Sequence, residues 1–97
     1  GLGSVTPLGV GTEKFWHGIR TAANGIGPIT RIDPTPHTTR FAGEVPGFEV
    51  ENYIDRKEAK RMDRFVHFAI AASKEAVEDA NLAIDDSNRD RIGVVIG

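Results

Sequence analysis

Five cations fall within nine consecutive positions: Arg56, Lys57, Lys60, Arg61 and Arg64. At about 100° per residue from Arg56, a helix places Lys60 at about 40°, Arg64 at about 80°, Lys57 at about 100° and Arg61 at about 140°. A helix through the whole stretch gathers all five on one face, with Glu58, Ala59 and Met62 opposite. Like charges so gathered repel one another unless an anionic partner or nearby carboxylates compensate. Two readings follow: a docking face for an acidic partner, or a solvated stripe neutralised by carboxylates elsewhere. Spacing alone does not choose between them. Nucleic acid fits less well, because the neighbouring aromatics lie on apolar faces rather than among the cations. A membrane surface also fits poorly, since the adjoining helix needs its apolar face for a core.

The remaining candidates for chemistry fail on spacing. Gly1-Leu2-Gly3-Ser4-Val5-Thr6 has threonine where a dinucleotide fingerprint places its third glycine, and six more residues separate it from the predicted helix. There is no Gly-Lys-Ser/Thr to cradle a phosphate. The glycines therefore read as a turn in which backbone passes close to backbone. His17, His37 and His67 stand far apart in sequence without a second ligand at helical or hairpin spacing, so they read as structural or surface histidines. No serine or threonine sits in a nucleophile elbow. Asp85 and Asp86 read as a solvated turn.

The elements that must position these residues belong to a chain of 97 residues, 39% hydrophobic and 27% charged, with a net charge of −2 and no cysteine. That length supports one small domain at most, burying only about 60–65% of its unfolded surface. The slightly acidic balance argues against a general nucleic-acid binder. The lack of cysteine removes disulfides and thiol nucleophiles from these residues. No apolar run approaches the roughly 18 residues of a spanning helix, and no signal peptide is visible, so the default compartment is the cytoplasm. The glycine-rich start without methionine and the apolar finish at Gly97 both read as cuts from a longer protein.

Gly1 to Gly11 reads as a loop feeding a helix from about Glu13 to Thr21, with Thr12 as N-cap and Asn24-Gly25 as the stop. Phe15, Trp16 and Ile19 form its apolar stripe. Pro28, Pro34 and Pro36 keep the next stretch irregular, and Phe41 to Val45 reads as a short strand. After the basic segment, Phe65, Phe68, Ala69, Ala72, Ala76, Val77 and Ala80 recur at steps of three and four, the pattern of an amphipathic helix. Asp63 is its candidate N-cap and Asn81 its left-handed stop. Ile92 to Ile96 reads as a strand buried on both faces. Helices around such a strand indicate an α/β protein.

Three stretches together resemble β-ketoacyl-acyl carrier protein synthases of the type II elongating kind. Gly1-Leu2-Gly3 with Thr6-Pro7-Leu8-Gly9 resembles the turn after their first strand. Asn24-Gly25-Ile26 and Phe41-Ala42-Gly43 are similar in spacing to their first helix and insert. Ile54-Asp55-Arg56-Lys57-Glu58-Ala59-Lys60-Arg61-Met62-Asp63-Arg64-Phe65 resembles their Arg-Lys-Glu…Met-Asp segment, where type I relatives usually carry Met-Ser. The tail from Ala80 to Gly97 fits as well. The likeness covers essentially all of the chain but about the first quarter of a typical member, so residues 1–97 read as a partial N-terminal β-ketoacyl synthase domain.

The resemblance implies a thiolase-like α/β fold, this chain forming part of the N-terminal half of a five-layer αβαβα architecture, usually in a homodimer. It implies decarboxylative Claisen condensation of an acyl-enzyme with malonyl-acyl carrier protein in fatty acid elongation, without a cofactor or metal. The cysteine nucleophile and two assisting histidines of the family lie beyond Gly97, so no catalytic residue is assigned here and this chain alone is expected to be inactive. What carries over is carrier-protein docking, on Lys57, Lys60 and Arg61, with Arg56 and Arg64 at the margin. Alternatives are a non-catalytic ketosynthase-like partner, or a type II polyketide ketosynthase subunit.

Overall fold

A computed structural model describes all 97 residues. The chain opens with an antiparallel hairpin, β1 (Val5–Thr6) and β2 (Gly9–Val10), paired Val5 to Val10 and Thr6 to Gly9. Helix α1 follows (Thr12–Arg20). A second antiparallel pair, β3 (Gly27–Pro28) and β4 (Phe41–Ala42), closes the proline-rich insert. Next come a 3-10 turn at Val50–Asn52, the short helix α2 (Arg56–Ala59), the long helix α3 (Arg64–Asp79) and a 3-10 turn at Arg89–Arg91.

Helix α3 is the spine. Its stripe of small residues forms a shelf on which the first residues of the chain lie, backbone against backbone. A Cβ added at Gly1 would sit 1.8 Å from the Ala76 carbonyl oxygen, and one at Gly3 would sit 1.9 Å from that of Ala72. The alanines predicted as a side-chain core thus serve close approach instead, and only glycine fits opposite them. Two carboxylates of α3 secure the contact. The Leu2 N–H donates to Asp79 Oδ2 at 2.8 Å, and the Ser4 N–H donates to Glu75 Oε2 at 2.8 Å. Glu75 Oε1 accepts from the Thr12 N–H at 2.6 Å, so one carboxylate joins the hairpin and the start of α1 to the spine.

Several expectations are corrected. Thr12 is the first helical residue rather than the N-cap; Gly11 precedes it at φ 99, and Glu75 satisfies the Thr12 amide, one of the first-turn donors without an intrahelical partner. Helix α1 ends at Arg20, with Ala22 turning left-handed at φ 53, ahead of Asn24-Gly25. The Asn24 side chain instead accepts from the Ile26 N–H at 2.9 Å, forming a turn of its own. Trp16 and Ile19 are exposed, and α1 buries Gly18 against Leu8. The loop predicted over Gly1–Gly11 contains the first hairpin. Asn81 does turn left-handed, at φ 49, as its place after the apolar run indicates.

The insert is held by a similar device. Glu44 Oε2 accepts the Thr30 hydroxyl at 2.7 Å, and Oε1 accepts the N–H groups of Thr30 and Arg31, both at 3.0 Å. Ile92 to Ile96 is not a strand. Residues 93–97 make no backbone–backbone hydrogen bond, and Val95 is 97% exposed. A strand exists only through its neighbours, and no other segment of these residues pairs with this one. Only Gly18, Ala59 and Ala71 are buried, and the radius of gyration is 16.0 Å, against about 13 Å for a compact chain of this length.

Replacing Gly3 by alanine in the full-length protein is expected to cost about 1–3 kcal/mol, because a methyl group must displace the Ala72 carbonyl or lift the chain from α3. A urea unfolding midpoint equal to wild type would contradict the shelf. Glu75 gives a second test. Desolvation pushes its carboxyl up, but the Thr12 and Ser4 amides outweigh this and hold it below its ordinary 4.5. A carboxyl whose folded value is depressed stabilises the protein above its unfolded value and loses that contribution as pH falls through the folded one. The stability gap between wild type and Glu75→Gln is therefore expected to be full at neutral pH and to shrink on acidification below 4.5. Paired denaturation series will show whether the gap instead stays constant.

Candidate docking site

The basic segment is not one helix. Helix α2 contains only Arg56 to Ala59; Asp55 caps it, its Oδ2 accepting from the Lys57 N–H at 2.9 Å. Lys60 closes α2, and the Arg61 and Met62 N–H groups donate to the Glu58 and Ala59 carbonyls at 3.0 and 3.2 Å, a tightened last turn. Asp63 is extended at ψ 159 before α3 starts. The five-cation face computed for a continuous helix is therefore corrected. A residue that caps α3 has extended dihedrals and cannot also lie inside a helix running to Arg64. Reading Asp63 as an N-cap already contained that signal.

The cations divide into three kinds. Lys57 and Lys60 are exposed, with no carboxylate within ion-pair distance. Arg56 and Arg61 are exposed but paired: Arg56 Nε lies 3.7 Å from Glu51 Oε1, and Arg61 Nη1 lies 3.7 Å from Glu58 Oε1. Long, exposed pairs of this sort are screened and add little to stability, so both arginines can exchange partners. Glu58 and Arg61 meet as i,i+3 neighbours, a pairing that a helical turn itself allows.

Arg64 belongs to the interior of the segment. Its guanidinium stands 4.8 Å from the ring centre of Phe68 and 5.6 Å from that of Phe48, and Nη2 donates to the Val45 carbonyl at 3.1 Å. Burial lowers its pKa, repulsion from Arg31 lowers it further, and Glu44 opposes both. Phe48 stacks on Tyr53 with centroids 5.5 Å apart and meets Phe68 edge-on at 5.0 Å. Arg64 and three aromatics thus bind the insert and the 3-10 turn to α3, in front of α2.

Two further side chains of α3 hold α2: Lys74, which the sequence does not mark, and His67, read there as a structural or surface histidine. Lys74 Nζ donates to the Tyr53 carbonyl, just before α2. His67 Nε2 lies 2.9 Å from the Ala59 carbonyl oxygen, at the end of α2. A carbonyl only accepts, so Nε2 carries the proton. Ala59 itself is only 6% exposed, seated against its surroundings while Lys57 and Lys60 project outward. The three histidines stand on different elements, His17 on α1, His37 in the Pro34–His37 turn and His67 on α3.

Elsewhere, Phe65, Val66, Ala69, Ile70 and Val77 of α3 line an apolar groove of about 630 Å³ with Val94 and Ile96. No helix is long and apolar enough to cross a membrane.

The architecture matches a solved ketosynthase/chain length factor, that of ishigamide, with a TM-score of 0.78 and 37% identity over 89% of this chain and 21% of that one. The fold is accordingly thiolase-like α/β. The chain belongs to the β-ketoacyl synthase family, the profile described as "Beta-ketoacyl synthase, N-terminal domain" matching residues 1–97. It is 53% identical over all 97 residues to a 3-oxoacyl-[acyl-carrier-protein] synthase 2 from Synechocystis sp. and 48% identical to one from Staphylococcus aureus. The chain spans 23% of the length of each of these relatives.

Arg64→Ala in the full-length protein is expected to lose about 1–3 kcal/mol of stability, since a hydrogen bond and two ring contacts disappear together. Lys57→Ala and Lys60→Ala are expected to stay within about 0.5 kcal/mol of wild type. Thermal unfolding separates the two classes; equal losses at all three positions would contradict the division.

Proposed function

We propose that the full-length protein carrying this segment is an elongating β-ketoacyl-acyl carrier protein synthase of fatty acid synthesis. In that reaction an acyl group is held as an enzyme thioester. Malonyl-acyl carrier protein loses carbon dioxide, its methylene carbon attacks the acyl carbonyl, and the enzyme thiolate leaves. The likeness to two 3-oxoacyl-[acyl-carrier-protein] synthases over every residue supports this reading. Identity to them exceeds the 37% found with the ketosynthase/chain length factor, which favours the fatty acid pathway over a polyketide or non-catalytic partner role. Working in the cytoplasm as a homodimer belongs to the same proposal.

Within that protein, residues 1–97 supply scaffold and a docking face for the acidic carrier. The observation that carries the assignment is the exposure of Lys57 and Lys60 on a short helix without carboxylate partners. Arg61 and Arg56 join them by giving up distant, solvated pairs. Arg64 contributes by fixing the frame. A few exposed ion pairs, each worth about 0.2–1 kcal/mol, give the salt-sensitive, reversible binding that a shuttling carrier requires.

Full-length protein given an acyl donor and malonyl-acyl carrier protein is expected to release carbon dioxide and form a product two carbons longer. Reversing Lys57, Lys60 and Arg61 to glutamate should weaken carrier binding about tenfold or more and flatten its dependence on salt. Condensation with unchanged affinity at low ionic strength would sink the docking assignment and leave the reaction standing. No condensation by the wild type would sink the reaction.

A further inference from the structure

A four-residue helix cannot hold itself together in water, because nucleation costs more than one or two hydrogen bonds return. The orientation of α2, and with it the direction of Lys57 and Lys60, must come from what α2 is tied to. At its entry the tie is double: Asp55 caps the helix, and Lys74 holds the Tyr53 carbonyl. At its exit the one side chain of α3 that reaches back is His67, whose Nε2 lies 2.9 Å from the Ala59 carbonyl oxygen. That carbonyl also accepts the Met62 N–H at 3.2 Å. Both of its lone pairs are therefore used, one by the turn that ends α2 and one by the spine.

We propose that His67 is a positioning residue for partner docking: its Nε2–H pins the end of α2 to α3 and so fixes where Lys57, Lys60 and Arg61 are presented. The imidazole is half-buried on α3, eight residues beyond Ala59 and on the far side of the Lys60–Asp63 break. It joins the two helices across the stretch where no helical hydrogen bond can. It touches no partner in this role; it sets the geometry of residues that do. This inference rests on the docking reading above.

The test compares His67→Gln, which keeps a donor near the same reach, with His67→Met, which has similar length and no donor. Both are made in the full-length protein. Amide hydrogen exchange, measured without any carrier protein, reads the tie itself. Lys60 and Arg61, whose amides close the end of α2, are expected to exchange faster in His67→Met and near wild-type rate in His67→Gln. Acyl carrier protein titrations are expected to show about three- to tenfold weaker binding for His67→Met, the scale of one lost hydrogen bond, and recovery in His67→Gln. Should the methionine variant not fold, His67→Ala takes its place.

Unchanged exchange in His67→Met overturns the pin whatever the binding shows. Faster exchange with unchanged affinity overturns its role in docking. If reversal of Lys57, Lys60 and Arg61 leaves affinity untouched, the docking reading fails and the inference fails with it, while the exchange result still reports on the tie.

Discussion

One carboxylate determines how the first dozen residues meet the rest of the chain. Glu75, in the third quarter of α3, accepts amides from Ser4 and Thr12, on either side of the first hairpin. An ionised carboxylate bonded to N–H groups makes a stronger contact than two neutral partners would. Here it also does the work of a helix cap, because the Thr12 amide is among the N-terminal donors that α1 cannot satisfy internally. The hydroxyls of Ser4 and Thr12 are buried beside it, and its short contacts are to the two backbone amides. The glycine contacts at positions 1 and 3 bring the chain near enough for that grip.

The same helix organises the opposite end of the segment by different chemistry. Arg64 offers a guanidinium to two phenylalanine rings and a carbonyl, His67 offers an imidazole, and Lys74, two turns further on, offers an ammonium. Each of these polar side chains of α3 ends on a main-chain carbonyl of a loop or of a helix terminus. At Val45 and Ala59 these contacts are part-buried, where an unpaired carbonyl would be costly. Helix α3 therefore arranges its surroundings by receiving amides at Glu75 and Asp79 and supplying donors from Arg64, His67 and Lys74. Residues that look like spare charges in the sequence are consumed in this way, and the cations left unpaired on α2 are fewer than composition implies.

What could be read from sequence follows the reach of the interactions concerned. The period of α3 and its stop at Asn81 are local, and both appear where the pattern puts them. Helix α1 lies within a residue of its expected limits for the same reason. The family and fold are legible because the stretches around Arg56 to Phe65 are distinctive. The break between α2 and α3 is not visible in propensity, since Lys60, Arg61 and Met62 all suit a helix; it is set by Asp63 and by a histidine acting across it. The partners of Glu75 lie 63 and 71 residues away, and no local pattern marks them. Pairs of two-residue strands are too short to show a period. Trp16 and Ile19 carry an amphipathic signature on a helix that buries a glycine instead.

The open backbone of Val94, Val95 and Ile96 has a consequence for handling the chain. Three branched aliphatic residues with free amides and carbonyls form a template onto which another extended segment can zip. No proline or charge interrupts them between Ile92 and Gly97. Any preparation that leaves this stretch uncovered invites edge-to-edge association, with Arg89, Asp90 and Arg91 as the charged gatekeepers on its N-terminal flank.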